Sequence, residues 1–106
     1  MSFELDILHT PTLATLTGEL TIMTLEDLQD DLFSMLNFTS SILDLSQLEE
    51  LDGCGAQLIG LLQQEAHQQG KQLQIRLAEE SLALLVLKQL GFLPLLNIAE
   101  TDDGCQ

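Results

Sequence analysis

One stretch limits the folds open to this chain more than any other. A short apolar run, Ile42-Leu43-Asp44-Leu45, leads into an acidic segment with Glu49, Glu50 and Asp52. The chain then turns on Gly53-Cys54-Gly55 and enters a helical pattern at Ala56. A strand that hands a small-residue turn to a helix N-terminus is an α/β device. Such a turn leaves backbone N–H groups pointing outward, where they meet an anion or a partner. Here Glu49, Glu50 and Asp52 repel an anion and no base supports one, which leaves a protein partner.

The flanking patterns fit that device. Phe3, Leu5 and Ile7 alternate with Glu4 and Asp6, the period of two of a half-buried strand. His9-Thr10-Pro11 breaks it, and Thr12 to Leu16 reads as a second strand, so the two form an antiparallel hairpin. Gly18-Glu19-Leu20-Thr21 leads to Thr24, read as an N-cap with Glu26 and Asp27 just inside. Leu25, Leu28, Leu32, Met35 and Leu36 predict a first helix over 24–36, with Asp27, Asp30 and Asp31 on its solvated face. Residues 41–45 are a central strand and 56–69 a second helix, closed by Gly70. Leu73, Ile75 and Leu77 mark a fourth strand. A third helix runs from Glu79-Glu80-Ser81 to Leu90 and stops at Gly91; Leu95 to Ile98 reads as a short last strand. Strands separated by helices pair in parallel through right-handed crossovers. The expected fold is a single-domain α/β structure over residues 1–99. Its mixed sheet has an antiparallel N-terminal hairpin plus parallel strands, flanked by helices, with a polar tail over 100–106.

Composition narrows the function classes. With 17 acids against three bases, Lys71, Arg76 and Lys88, the formal net charge is −14. Nucleic-acid binding draws most of its affinity from Lys and Arg on phosphate, and anionic membranes attract the same residues. Both are disfavoured; a basic protein surface or plain solubility fits the charge. No apolar run approaches the ~20 residues of a membrane helix, and the N-terminus lacks a signal-peptide pattern. Two cysteines without that signal fit a reducing compartment, so the cytoplasm is expected.

No catalytic constellation is visible, and neither a cofactor nor a metal site is expected. His9 lies in a loop and His67 on the polar side of a helix. CxxC, HExxH and Walker patterns are absent. Asp44, Glu49, Glu50 and Asp52 read as capping and solubilising acids rather than a hard-metal site. Cys54 sits where a helix dipole lowers a thiol pKa, but the neighbouring acids oppose that and no base lies near in sequence. It reads as a small, moderately apolar interface residue. The third helix is apolar nearly all round, through Leu82, Leu84, Leu85, Val86, Leu87 and Leu90. Either Leu84 and Leu87 form an exposed apolar contact, as in a homodimer, or Phe92, Leu93 and the C-terminal segment fold over them.

Taken together the motifs resemble a known family. Leu43-Asp44-Leu45-Ser46, then Leu51-Asp52-Gly53-Cys54-Gly55, then an aliphatic helix ending at Gly70-Lys71-Gln72-Leu73-Gln74-Ile75 is similar to the STAS domain of anti-sigma factor antagonists. Gly18-Glu19-Leu20-Thr21 and Leu87-Lys88-Gln89-Leu90-Gly91-Phe92 fall at two further family positions. The resemblance implies a regulatory binding module and not an enzyme. In the antagonists a partner kinase phosphorylates the serine just before the glycine of an Asp-Ser-Ser-Gly-like turn, and the phosphate breaks the contact. Here Asp52 matches the aspartate and Gly55 the glycine, but Cys54 stands at the phosphoacceptor position with Gly53 before it. Thr21 replaces the aspartate of the early turn, and Ser46 does not match the phosphorylated position.

The resemblance therefore implies a bacterial module that docks a kinase-like anti-sigma factor or a chemotaxis protein through Asp52, Gly53, Cys54, Gly55 and the helix residue Gln57. It would lack a phosphorylatable residue at the switch. Two other readings stay open: an accessory STAS subunit clamping the ATPase of a phospholipid-transport ABC system, and a small-ligand or nucleotide module, for which lysine and aromatic support is lacking.

Overall fold

The computed structural model describes residues 2–98; the polar tail assigned to 100–106 lies outside them. Its first long strand organises the sheet. Strand β1 (Ser2–Asp6) pairs antiparallel with β2 (Thr12–Leu20), with Phe3 opposite Leu16 and Leu5 opposite Ala14. The hairpin is as expected, but β2 runs four residues past Leu16. Gly18 adopts φ 91°, and the register shifts between Gly18 and Glu19. The extra residue of this irregularity is Glu49 on the partner strand, and the positive φ at Gly18 beside it suits a residue without Cβ. Thr12–Thr15 pair in parallel with β3 (Ser40–Asp44); further along, Gly18–Leu20 pair in parallel with β4 (Leu48–Leu51). Strand β5 (Gln72–Arg76) completes the order β1-β2-β3-β5, parallel to β3.

Three helices flank this mixed sheet. Helix α1 (Leu25–Phe33) buries Leu28 and Leu32, then tightens into a 3₁₀ turn at Ser34–Asn37 that buries Met35. Helix α2 spans Gly53–Gln68 and α3 Leu82–Gln89. Helix α1 packs on α2, α2 on β5, and α3 on β4. The core is aliphatic: Leu16, Leu20, Leu32, Leu43, Ile59, Leu62 and Ile75 are fully buried. On the opposite face of the sheet, Thr15, Asp44 and Arg76 lie side by side in register and remain part-exposed.

Several expectations are corrected. Strand β4 was read as an acidic connection. Thr24 does not cap α1 with its side chain; its hydroxyl bonds Thr21 and Glu19 instead. The last segment is a 3₁₀ turn at Leu93–Leu95 with a single parallel bridge, Ile98 to Ile75. Pro94 fits the start of that turn and cannot donate to a strand ladder. Leu87 is fully buried and Leu84 half-buried against the core, so the exposed face of α3 carries Leu82, Leu85 and Leu90. The cause is β4: α3 needs its apolar face to cover that strand.

Candidate functional site at the start of the second helix

Gly53, Cys54 and Gly55 do not form a turn ahead of a helix; they are its first turn. Asp52 is the N-cap, in extended conformation, and its Oδ1 accepts from the Gly55 N–H at 2.8 Å. Its Oδ2 accepts from the Ile22 N–H at 3.0 Å, thirty residues away. One carboxylate therefore ties the start of α2 to the loop between β2 and α1. Those bonds, the Gly55 N–H foremost and the Ile22 N–H next, hold the Asp52 carboxyl below its ordinary pKa.

Gly55 completes the joint. A Cβ there would press into the Leu20 carbonyl oxygen and stand 2.9 Å from Leu51 Cδ1. Only glycine lets α2 approach the end of β2 this closely. Gly55 is buried, so the expectation that it touches a partner is corrected to a packing role. Gly53 is different: it is exposed, and a Cβ on it would meet nothing within 4 Å. Cys54 is a free thiol of intermediate exposure, and Gln57 is exposed one turn further on.

The loop joined to this helix start was not singled out in the sequence. Ile22 is 65% and Met23 85% exposed. Yet their backbone is fixed. The Thr21 N–H donates to Thr24 Oγ1, the Met23 N–H to Thr21 Oγ1, and the Thr24 N–H to the Thr21 carbonyl. Thr21 itself is buried. A hydrogen-bonded loop, tied through Ile22 to Asp52 at the start of α2, thus leaves two apolar side chains in solvent. The signal was present as two apolar residues outside any strand or helix period, directly before Thr24. Ser46, by contrast, is committed: its N–H and hydroxyl both donate to Asp44 Oδ1, at 2.9 and 2.7 Å. His9 stays in its exposed loop with Nδ1 against the Pro11 carbonyl, and His67 is exposed on α2. Among the described residues no three His, Cys, Asp or Glu side chains converge, and no helix is long and apolar enough to cross a membrane.

A family model described as "Mlab, STAS domain" matches residues 5–92. The chain belongs to the STAS family. No curated protein matches its sequence significantly. Among solved structures, the STAS chain is similar to the anti-sigma factor antagonist SpoIIAA in its unphosphorylated form, with a TM-score of 0.69 at 17% identity, covering 96% of this chain and 91% of that one. An anti-sigma factor antagonist from Mycobacterium paratuberculosis gives 0.78 at 14% identity, covering 96% and 87%. The Bacillus cell fate determinant SpoIIAA in its phosphorylated form gives 0.64 at 18%, covering 96% and 95%. At these identities the likeness is one of fold: a STAS domain over nearly the whole chain.

Proposed function

We propose that this STAS protein is a non-enzymatic regulatory module that docks a protein partner, of the kinase-like anti-sigma or chemotaxis type, in a bacterial cytoplasm. The partner lies across Ile22, Met23, Gly53 and Cys54 and reaches Gln57. The observation that carries this reading is the double use of Asp52. By bonding Gly55 and Ile22 at once, it fixes a loop with two solvent-exposed apolar side chains against a small-residue helix start. Pre-ordering a contact surface lowers the entropy cost of association. The small residues let a partner backbone come close, and the net charge of −14 favours a basic partner surface.

SpoIIAA, which shares this fold, has been solved in unphosphorylated and phosphorylated forms. In this chain the matching position is Cys54, and the nearby Ser46 hydroxyl is held by Asp44. The docking surface is therefore read as one without a phosphate switch. A second reading, an accessory subunit clamped on the ATPase of a phospholipid-transport ABC system, is favoured by the family description, which names Mlab.

Affinity purification from the source cells, with the captured protein identified by mass, tests both. A kinase-like or chemotaxis protein supports the first and an ABC ATPase the second. Met23→Asp and Gly53→Glu are expected to weaken capture at least tenfold with the unfolding transition unchanged. Unaltered capture by both variants places the interface elsewhere. A phosphate adduct that Cys54→Ala removes would sink the switchless reading.

A further inference from the structure

A second surface lies along α2, away from the sheet. Its exposed residues Gln57, Leu61 and Gln64 form one wall of a groove of about 760 Å³, Phe92 and Leu95 form the other, and part-buried Gly60 lies at the floor. The groove is built, not incidental. Gln63 joins its two walls: its Nε2 donates to the Leu73 carbonyl at 3.1 Å and its Oε1 accepts from the Asn97 N–H at 2.9 Å. Asn97 Nδ2 adds a bond to the same carbonyl. The C-terminal segment is thereby fixed at a set distance from the helix. Gly60 keeps the floor open, because a Cβ there would meet nothing within 4 Å. The groove is lined by no Asp, Glu, Lys or Arg; His67 is its one ionisable lining residue.

The shape selects the occupant. The rims are themselves wet, with Leu61 56% and Leu95 67% exposed. A small ligand needs most of its surface enclosed, which an open trough does not give. The apolar face of a helix needs only a trough, with its other face left in water. Charge selects further. The groove is neutral inside a chain of net charge −14, so a helix whose flanks carry Lys and Arg is drawn to it and one with Asp and Glu is repelled. We infer that the groove between α2 and the Phe92–Asn97 segment is a docking site for a cationic amphipathic helix of a protein partner. This groove shares Gln57 with the edge of the proposed Ile22–Cys54 surface but is otherwise separate and does not depend on it.

The test uses the full chain, isotope-labelled for amide NMR, and a synthetic amphipathic peptide of Leu and Lys, about 15 residues long so that it forms a helix. Its counterpart replaces Lys by Glu. The Lys peptide is expected to shift the amides of Gly60, Leu61, Phe92 and Leu95. Gly60→Phe puts a ring at a position where a Cβ meets no neighbour, narrows the trough, and is expected to weaken binding about tenfold, equivalent to about 1.4 kcal/mol. Gly53→Glu should leave that affinity unchanged, which separates this site from the docking turn. Shifts confined to the acidic face of α1, equal binding of the Glu peptide, or an unchanged affinity in Gly60→Phe each overturn the proposal. So does a fatty acid that shifts these amides where the Lys peptide does not.

Discussion

Both oxygens of the Asp52 carboxylate are held by backbone N–H groups, so its ionisation is linked to folding. Its pKa in the folded chain lies below the ordinary 3.8, and the folded state binds fewer protons there than the unfolded one. The stabilisation is therefore full above the unfolded value and is lost as pH falls through the folded value. Asp52→Asn keeps the side-chain oxygen for Gly55 but has no second acceptor for Ile22 and cannot titrate. The stability gap between the parent and Asp52→Asn should be widest near neutrality and close as the pH drops below that ordinary value; a gap independent of pH in denaturant titrations rejects the linkage. Asp52→Ala should cost about 1–2 kcal/mol at neutral pH through loss of the cap. Two glycines five residues apart on α2 make opposite predictions. Gly55→Ala forces a methyl onto the Leu20 carbonyl and should lose about 1–3 kcal/mol. Gly60→Ala enters open space in mid-helix and should gain about 0.5–1 kcal/mol. Equal thermal midpoints for the two variants would contradict this packing.

At the scale of elements, legibility followed periodicity. Strand β1 with its alternating Phe3 and Leu5, and helix α2 with Leu58, Ile59, Leu62 and Ala66 on one side, could be read because each keeps a clean repeat. Strand β4 could not. Its Leu-Glu-Glu-Leu buries both ends and exposes the middle, a spacing of three that no strand rule recognises. It pairs with β2 across an irregularity whose extra residue, Glu49, lies on β4 itself, and a bulge leaves no trace in local pattern. The helix start of α2 was misplaced for a related reason: two glycines beside an Asp look like a turn, whereas one of them serves close packing against β2. Of the proposed docking surface, Asp52, Gly53 and Cys54 were legible in sequence, while Ile22 and Met23 join it through a hydrogen bond spanning thirty residues. Of the two readings open for Leu84 and Leu87, the structure bears out the covered one, with Leu87 fully buried and Leu84, Phe92 and Leu93 packed against the core. That burial is testable. Leu87→Asp puts a charge into the core against β4 and should abolish cooperative unfolding. Leu85→Asp, at a side chain 55% exposed, should shift stability by no more than about 0.5 kcal/mol. Comparable losses in the two variants by circular dichroism would contradict the burial of Leu87.

For the molecule as a whole, the charge imbalance and the small size meet in one quantity. The chain packs 17 acids and three bases into extents of 34 × 28 × 24 Å. At about 0.01 M salt the screening length is about 30 Å, so acids on opposite sides still repel; at about 1 M it is about 3 Å and they do not. Unfolding spreads the charges apart, so repulsion weighs on the folded state. Salt also weakens attractions, and the two effects oppose each other. The pair between Arg76 and Asp44, at 3.9 Å and part-exposed, is of a kind worth about 1 kcal/mol or less. An excess of fourteen like charges outweighs it. The thermal midpoint should therefore climb steadily with sodium chloride across that range, by about 4–8 °C for each kcal/mol of repulsion removed. A midpoint that falls with salt would mean that specific ion pairs, rather than a general acidic field, dominate the electrostatics of this fold. It would also remove the basis for expecting a basic partner, since the same unscreened field is what would draw one in.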